Sequence, residues 1–156
     1  MSIAVRTADE MRTLGARVAG VCRAGDVIVL DGPLGAGKTT FVQGMAAALG
    51  VRDPITSPTF VIARAHRGAI HDLVHVDAYR IGSGLELDDL DLDADVASSV
   101  TVVEWGSGKA DRLADDRLLV RIERSDDPDD ETRTVTMVGI GARWSGDALR
   151  DIEATA

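Results

Sequence analysis

Eight consecutive residues, Gly32-Pro33-Leu34-Gly35-Ala36-Gly37-Lys38-Thr39, combine three glycines, an ammonium group and a hydroxyl at the spacing of a phosphate-cradling loop. Glycines let the backbone curl so that successive amides aim at one anion. Lys38 can reach the β- and γ-phosphates of a nucleotide, and the Thr39 hydroxyl can take a place on Mg²⁺. The neighbours agree with this chemistry. Val27-Ile28-Val29-Leu30 is an uninterrupted apolar run, as in a strand buried on both faces, and it leads straight into the loop. A helical stretch from about Lys38 to Leu49, closed by Gly50, follows and adds its positive end. The expected ligands are ATP or ADP with Mg²⁺, held by Pro33, Leu34, Gly35, Ala36, Gly37, Lys38, Thr39 and Thr40, with Lys38 also serving the chemistry. The chain has fifteen arginines and only two lysines, Lys38 and Lys109, so a compact ammonium falls where one is wanted.

A loop of this type needs a carboxylate at the end of a neighbouring strand to hold Mg²⁺ or its water. Leu73-Val74-His75-Val76-Asp77 and Val100-Thr101-Val102-Val103-Glu104 both run apolar residues into an acid, and spacing does not choose between them. Guanine is usually read by an Asn-Lys-x-Asp motif, and the chain contains no asparagine, which argues against a GTPase. A small P-loop kinase acting on a small molecule is the alternative. Arg112, Arg117 and Arg121 could serve its lid, but they form no lid pattern.

The elements that position these groups are legible in outline. Thr7-Ala8-Asp9-Glu10 has capping-box spacing, and Met11, Leu14, Val18 and Val21 then recur at helical intervals up to Gly25. Thr59–Arg64 and Ile70–Val76 read as two strands joined by His66-Arg67-Gly68, which predicts an antiparallel hairpin. Gly84–Val96 reads as a short acidic helix with loops. Val100–Val103 is a further buried strand, and Leu118–Ile122 and Thr132–Val138 alternate as half-exposed strands do. With no repeat and no linker, residues 1–156 read as one P-loop NTPase-like α/β domain. Its sheet is mixed, partly antiparallel and flanked by helices, with a peripheral tail after about residue 141 that holds one short helix.

Composition narrows the partners. The net charge of −9 disfavours autonomous binding of a nucleic acid backbone, which needs clustered cations. The acidic runs Glu86–Asp93 and Asp126–Glu131 read as a solvated helix face and a surface loop. No apolar span is long enough to cross a bilayer, and Met1–Thr7 shows no charged head followed by an apolar run, so a cytoplasmic protein without membrane contact is expected. The single cysteine, Cys22, sits in an apolar helical pattern and reads as a small core residue.

Four segments together resemble one family, the bacterial TsaE-type ATPases of tRNA threonylcarbamoyladenosine biosynthesis. They are Gly35-Ala36-Gly37-Lys38-Thr39-Thr40-Phe41, Thr56-Ser57-Pro58-Thr59-Phe60, His75-Val76-Asp77-Ala78-Tyr79-Arg80 and Glu104-Trp105. Order and spacing agree as well as identity, and the likeness spans about residues 7 to 123. It departs from the family at Ala78, where leucine is usual, and at Ser107-Gly108-Lys109, where an acid is common. The resemblance implies an ATPase needed to modify the adenosine next to the anticodon in tRNAs reading ANN codons. The implied partners are the TsaD- and TsaB-type subunits of the transferase, so that tRNA is met only indirectly. It also separates the acids: Glu104 would join Thr39 on Mg²⁺, and Asp77 would be the Walker B-type catalytic acid. Thr56, Ser57 and Thr59 would form a nucleotide-sensing switch, with Tyr79, Arg80 and Trp105 as further sensor residues.

Overall fold

Thr7 and Glu10 start the first helix as their spacing predicts. The Glu10 amide donates to Thr7 Oγ1 (3.1 Å). The Glu10 carboxylate accepts from the amide of Arg6 (2.7 Å), one residue before the cap. This computed structural model describes residues 1–56, 63–77, 96–105 and 115–154. The elements in chain order are β1 (Ser2–Val5), α1 (Ala8–Val21), β2 (Val27–Asp31), α2 (Lys38–Leu49), β3 (Ala63–His66), β4 (Asp72–Asp77), β5 (Ser99–Trp105), β6 (Arg117–Arg124), β7 (Arg133–Ile140) and α3 (Asp147–Ala154). Val96–Ser98 forms a short 3-10 turn; the rest of the expected acidic helix, like the first residues of the expected 59–64 strand, lies outside the described residues.

One mixed sheet runs in the order β1-β7-β6-β2-β5-β4-β3. Its centre, β6-β2-β5-β4, is parallel, and antiparallel strands flank it on both sides. The predicted β3–β4 hairpin is present, with Ala65 opposite Val74. Every residue of β2 is buried, as its continuous apolar run requires. Ile28, Leu30, Leu73, Val100 and Val102 face one way and share a core with Leu14 and Val18 of α1 and Phe41 and Met45 of α2.

Two expectations need correction. The sequence predicts no strand before α1, yet β1 pairs with the far end of the chain, Ser2 opposite Thr136 and Val5 opposite Arg133. Its four residues alternate in burial, but the run is too short to mark a strand by itself, and distant pairing defines it. The segment after Gly141 does hold the expected helix, but it is not peripheral. Trp144 and Ile152 are fully buried in the common core. Arg143 donates to both carboxylate oxygens of the buried Asp26 (2.9 and 2.7 Å) and to the Val21 carbonyl at the end of α1 (2.7 Å). Its guanidinium lies 4.4 Å from the centre of the Trp144 ring.

Helices α1 and α2 touch backbone to backbone. A Cβ placed on Gly15 would meet the Phe41 carbonyl oxygen, and one on Gly44 would meet the Arg12 carbonyl oxygen. Gly20, also in α1, has open space around it. The two glycines of α1 therefore make opposite predictions. Gly15→Ala should destabilise the protein by about 1–3 kcal/mol through overpacking. Gly20→Ala should stabilise it by about 0.5–1 kcal/mol, the ordinary helix-propensity gain. Urea unfolding of both variants measures the difference in sign.

Cys22 is buried, and its Sγ donates to the Val18 carbonyl (3.2 Å). Burial, reinforced by the Asp26 carboxylate, pushes the thiol up to about 12. The ordinary value is 9.0, so the stability linked to this proton is complete below that pH and is lost as pH rises toward 12. Native protein at pH 8 should leave an aromatic disulfide reagent unreacted, and the one thiol should appear only on denaturation.

Candidate nucleotide-binding site

The loop leaves β2 at Gly32 and enters α2 at Lys38. Gly35 and Gly37 take positive φ values of 76° and 112°, which a side chain would strain. Gly37 caps α2 with no side-chain hydrogen bond, and the first helical bond runs from Phe41 to Gly37 (2.9 Å). The opening amides of α2 therefore have no partner within the helix and form a site for an anion. Ala36 is buried beneath the loop, with its amide on the Pro33 carbonyl (3.1 Å), while Leu34 stands 94% exposed at the tip. Lys38 Nζ donates to the Gly32 carbonyl (2.6 Å), so the ammonium lies folded across the loop. Thr39 and Thr40 are half-buried at the start of the helix.

The two acids stand side by side. Asp77 ends β4 directly opposite Glu104 of β5, and Glu104 is in turn opposite Leu30 of β2, two residues before the loop. Parallel pairing thus delivers both carboxylates to the strand ends beside the loop, the usual place for a ligand in an open α/β sheet. Glu104 is buried, and its Oε1 has no hydrogen-bond partner among the described residues. A buried polar atom left so costs about 1–3 kcal/mol. A buried carboxylate at a strand end beside a phosphate-type loop supplies the hard oxygen donor that suits Mg²⁺. Thr39 and Glu104 would hold the metal.

Thr56 is exposed and lines a separate cavity of about 430 Å³ with Asp53, Pro54 and His66. Ser57, Thr59, Tyr79 and Arg80 lie outside the described residues, as does the side chain of Trp105, whose backbone closes β5.

A cavity of about 230 Å³ opens on the flank of the loop, between Gly35, Gly37 and Thr40 on one side and Arg6, Thr7, Met11 and Arg133 on the other. Sequence reasoning missed this wall. Its residues sit far from the motif, and only the β1–β7 pairing brings Arg6 and Arg133 together; the capping box at Thr7 was visible, but nothing local tied it to the loop. Arg124 adds a further cation, 3.8 Å from where a Cβ on Gly35 would stand.

Fold and loop define a P-loop nucleotide-binding domain of the α/β class. The family model for threonylcarbamoyl adenosine biosynthesis protein TsaE matches residues 5–135. The chain belongs to the TsaE family. It is 55% identical over 139 residues to the Streptomyces coelicolor tRNA threonylcarbamoyladenosine biosynthesis protein TsaE, covering 86% of this chain and 94% of that one. The Bacillus subtilis protein of the same name is 35% identical over 137 residues, 87% of this chain and 84% of its own length. The crystal structure of Bacillus subtilis YdiB superposes with a TM-score of 0.80 at 28% identity, over 99% of this chain and 95% of that one. Among the described residues no helix is long and apolar enough to cross a membrane.

Removal of the Lys38 ammonium tests the loop. Losing its charge-assisted contacts should weaken nucleotide binding by about 1.5–3 kcal/mol, or about ten- to a hundredfold. Among the described residues, the hydrogen bond it forfeits in the free protein is the one to the Gly32 carbonyl. Lys38→Ala should therefore unfold at the wild-type temperature without nucleotide and bind poorly in a calorimetric titration.

Proposed function

We propose that this chain binds ATP with Mg²⁺ and hydrolyses it slowly, as an accessory factor in making threonylcarbamoyladenosine beside the anticodon of tRNAs reading ANN codons. Its partners would be TsaD- and TsaB-type subunits of the cytoplasmic transferase, and tRNA binding would be left to them. The observation that carries the ATPase part is the in-register pair Asp77 and Glu104 beside the uncapped start of α2. The pathway rests on the family and on relatives named for it.

In this reading the amides from Gly35 to Thr40 grip the phosphates, and Lys38 exchanges the Gly32 carbonyl for a phosphate oxygen. The base or ribose enters the cavity walled by Arg6, Thr7 and Met11, where Thr7 and Arg133 supply polar groups beside an apolar surface. Bound Mg²⁺ would neutralise charge on the phosphates, held by Thr39 and Glu104. Asp77 would orient the attacking water and accept its proton. Thr56 and the segment after it would sense the state of the nucleotide.

Partner dependence follows from charge and exposure. Phosphoryl transfer is accelerated by a cation on the developing transition state, worth about a thousandfold or more. Arg124 stands at the loop but in solvent, where its charge is screened. Closure against a partner would exclude water, and a net charge of −9 favours docking on a basic surface. Steady-state ATP turnover should therefore be slow for the isolated chain. It should rise steeply when purified TsaD- and TsaB-type subunits are added, with the stimulation falling as salt increases. Rapid turnover unaffected by those subunits would favour the small-kinase reading instead.

A further inference from the structure

His75 is a buried histidine that the nucleotide site has not yet used. It occupies β4 two residues before Asp77, and alternation along the strand places the two on the same face. The ring is fully buried. Among the described residues neither ring nitrogen has a hydrogen-bond partner, and the same is true of Glu104 Oε1. These orphaned atoms face one another: His75 Nε2 lies 3.3 Å from Glu104 Oε1, within reach but not in line for a hydrogen bond. A buried imidazole with both nitrogens unpartnered calls for a physical reason, all the more in a strand whose other interior residues, Leu73, Val74 and Val76, are apolar.

We infer that His75 is a positioning residue for Glu104. With its ring proton on Nε2, a small turn of the ring or carboxylate brings the pair into line, so that His75 donates to Oε1, fixes the rotation of the carboxylate and leaves Oε2 as the oxygen available to the metal. Ligating carboxylates are commonly held in this way by a second group, and its loss typically weakens metal affinity by about 10–100-fold. The inference rests on the reading that Glu104 holds Mg²⁺.

Glutamine and asparagine separate this role from packing, because the amide of glutamine reaches the place of Nε2 while that of asparagine stops near Nδ1. The measurement is binding of a fluorescent ADP analogue as a function of Mg²⁺ concentration, repeated in EDTA, for His75→Gln, His75→Asn and Glu104→Gln. Thermal unfolding without ligand is recorded for each. His75→Asn should need about tenfold more Mg²⁺ or greater to reach half-saturation, His75→Gln should stay near wild type, and affinity in EDTA should not change. Equal Mg²⁺ dependence of the two His75 variants, whether both normal or both impaired, overturns the inference while leaving Glu104 assigned. An unchanged Mg²⁺ midpoint for Glu104→Gln removes the metal from Glu104 and takes the role of His75 with it.

Discussion

Helix α2 holds its opening amides in place because its back meets α1 backbone to backbone at Gly15 and Gly44, with no side chain between them at those two points. Gly15 and Gly44 bring two carbonyl-bearing surfaces into contact, and that contact leaves no slack along the helix axis. A phosphate loop depends on such a constraint. Its amides are useful when several converge on one anion, and convergence is lost when the helix behind them slides by a fraction of a turn. The strand in front is equally confined, since β2 is buried along its whole length between parallel neighbours.

The far end of the chain completes this frame. Arg143 fixes the turn between α1 and β2 from outside, by joining the Asp26 carboxylate to the last carbonyl of α1. A buried ion pair adds little net stability over apolar packing, but breaking one by removing a partner is costly, typically about 3–5 kcal/mol. What the pair supplies here is a unique geometry for the turn, with Trp144 packed alongside. The buried polar groups are not uniformly satisfied. The Asp26 carboxylate is fully engaged and holds the backbone, whereas among the described residues both ring nitrogens of His75, Glu104 Oε1, Thr101 Oγ1 and Trp144 Nε1 have no hydrogen-bond partner.

The parts of the molecule that were legible in the sequence are those whose signals are local. The glycine loop, the capping box at Thr7 and Glu10, the uninterrupted β2 and the β3–β4 hairpin each occupy a few adjacent residues and are present in the structure. Strand β1 and the core role of Trp144 were not legible, because each is defined by partners more than a hundred residues away or by a single aromatic side chain without periodicity. The wall of the flanking cavity was hidden for the same reason. The two acids were visible as strand ends, but spacing alone did not separate them. Adjacency across β4 and β5 explains why: the fold makes them neighbours, with equivalent positions on neighbouring strands. His75 lies within the His75–Arg80 segment, but only the oxygen opposite it gives it a role, and that oxygen belongs to a neighbouring strand.

Strand β1 sits at the edge of the sheet, bound along one side only, and it leads directly into Arg6 and Thr7, which form one wall of the cavity beside the loop. Edge strands of four residues fray more readily than central ones. Occupancy of the cavity and attachment of the strand are therefore linked equilibria. With β1 detached, Arg6 and Thr7 keep their capping bonds to Glu10 but lose the register that sets them opposite Arg133, so the affinity of an occupant that touches both sides would be scaled by the attached fraction, which the occupant would in turn raise. Residues 2–5 would then act as a clasp, and hydrogen exchange at β1 would gauge whether the cavity is filled.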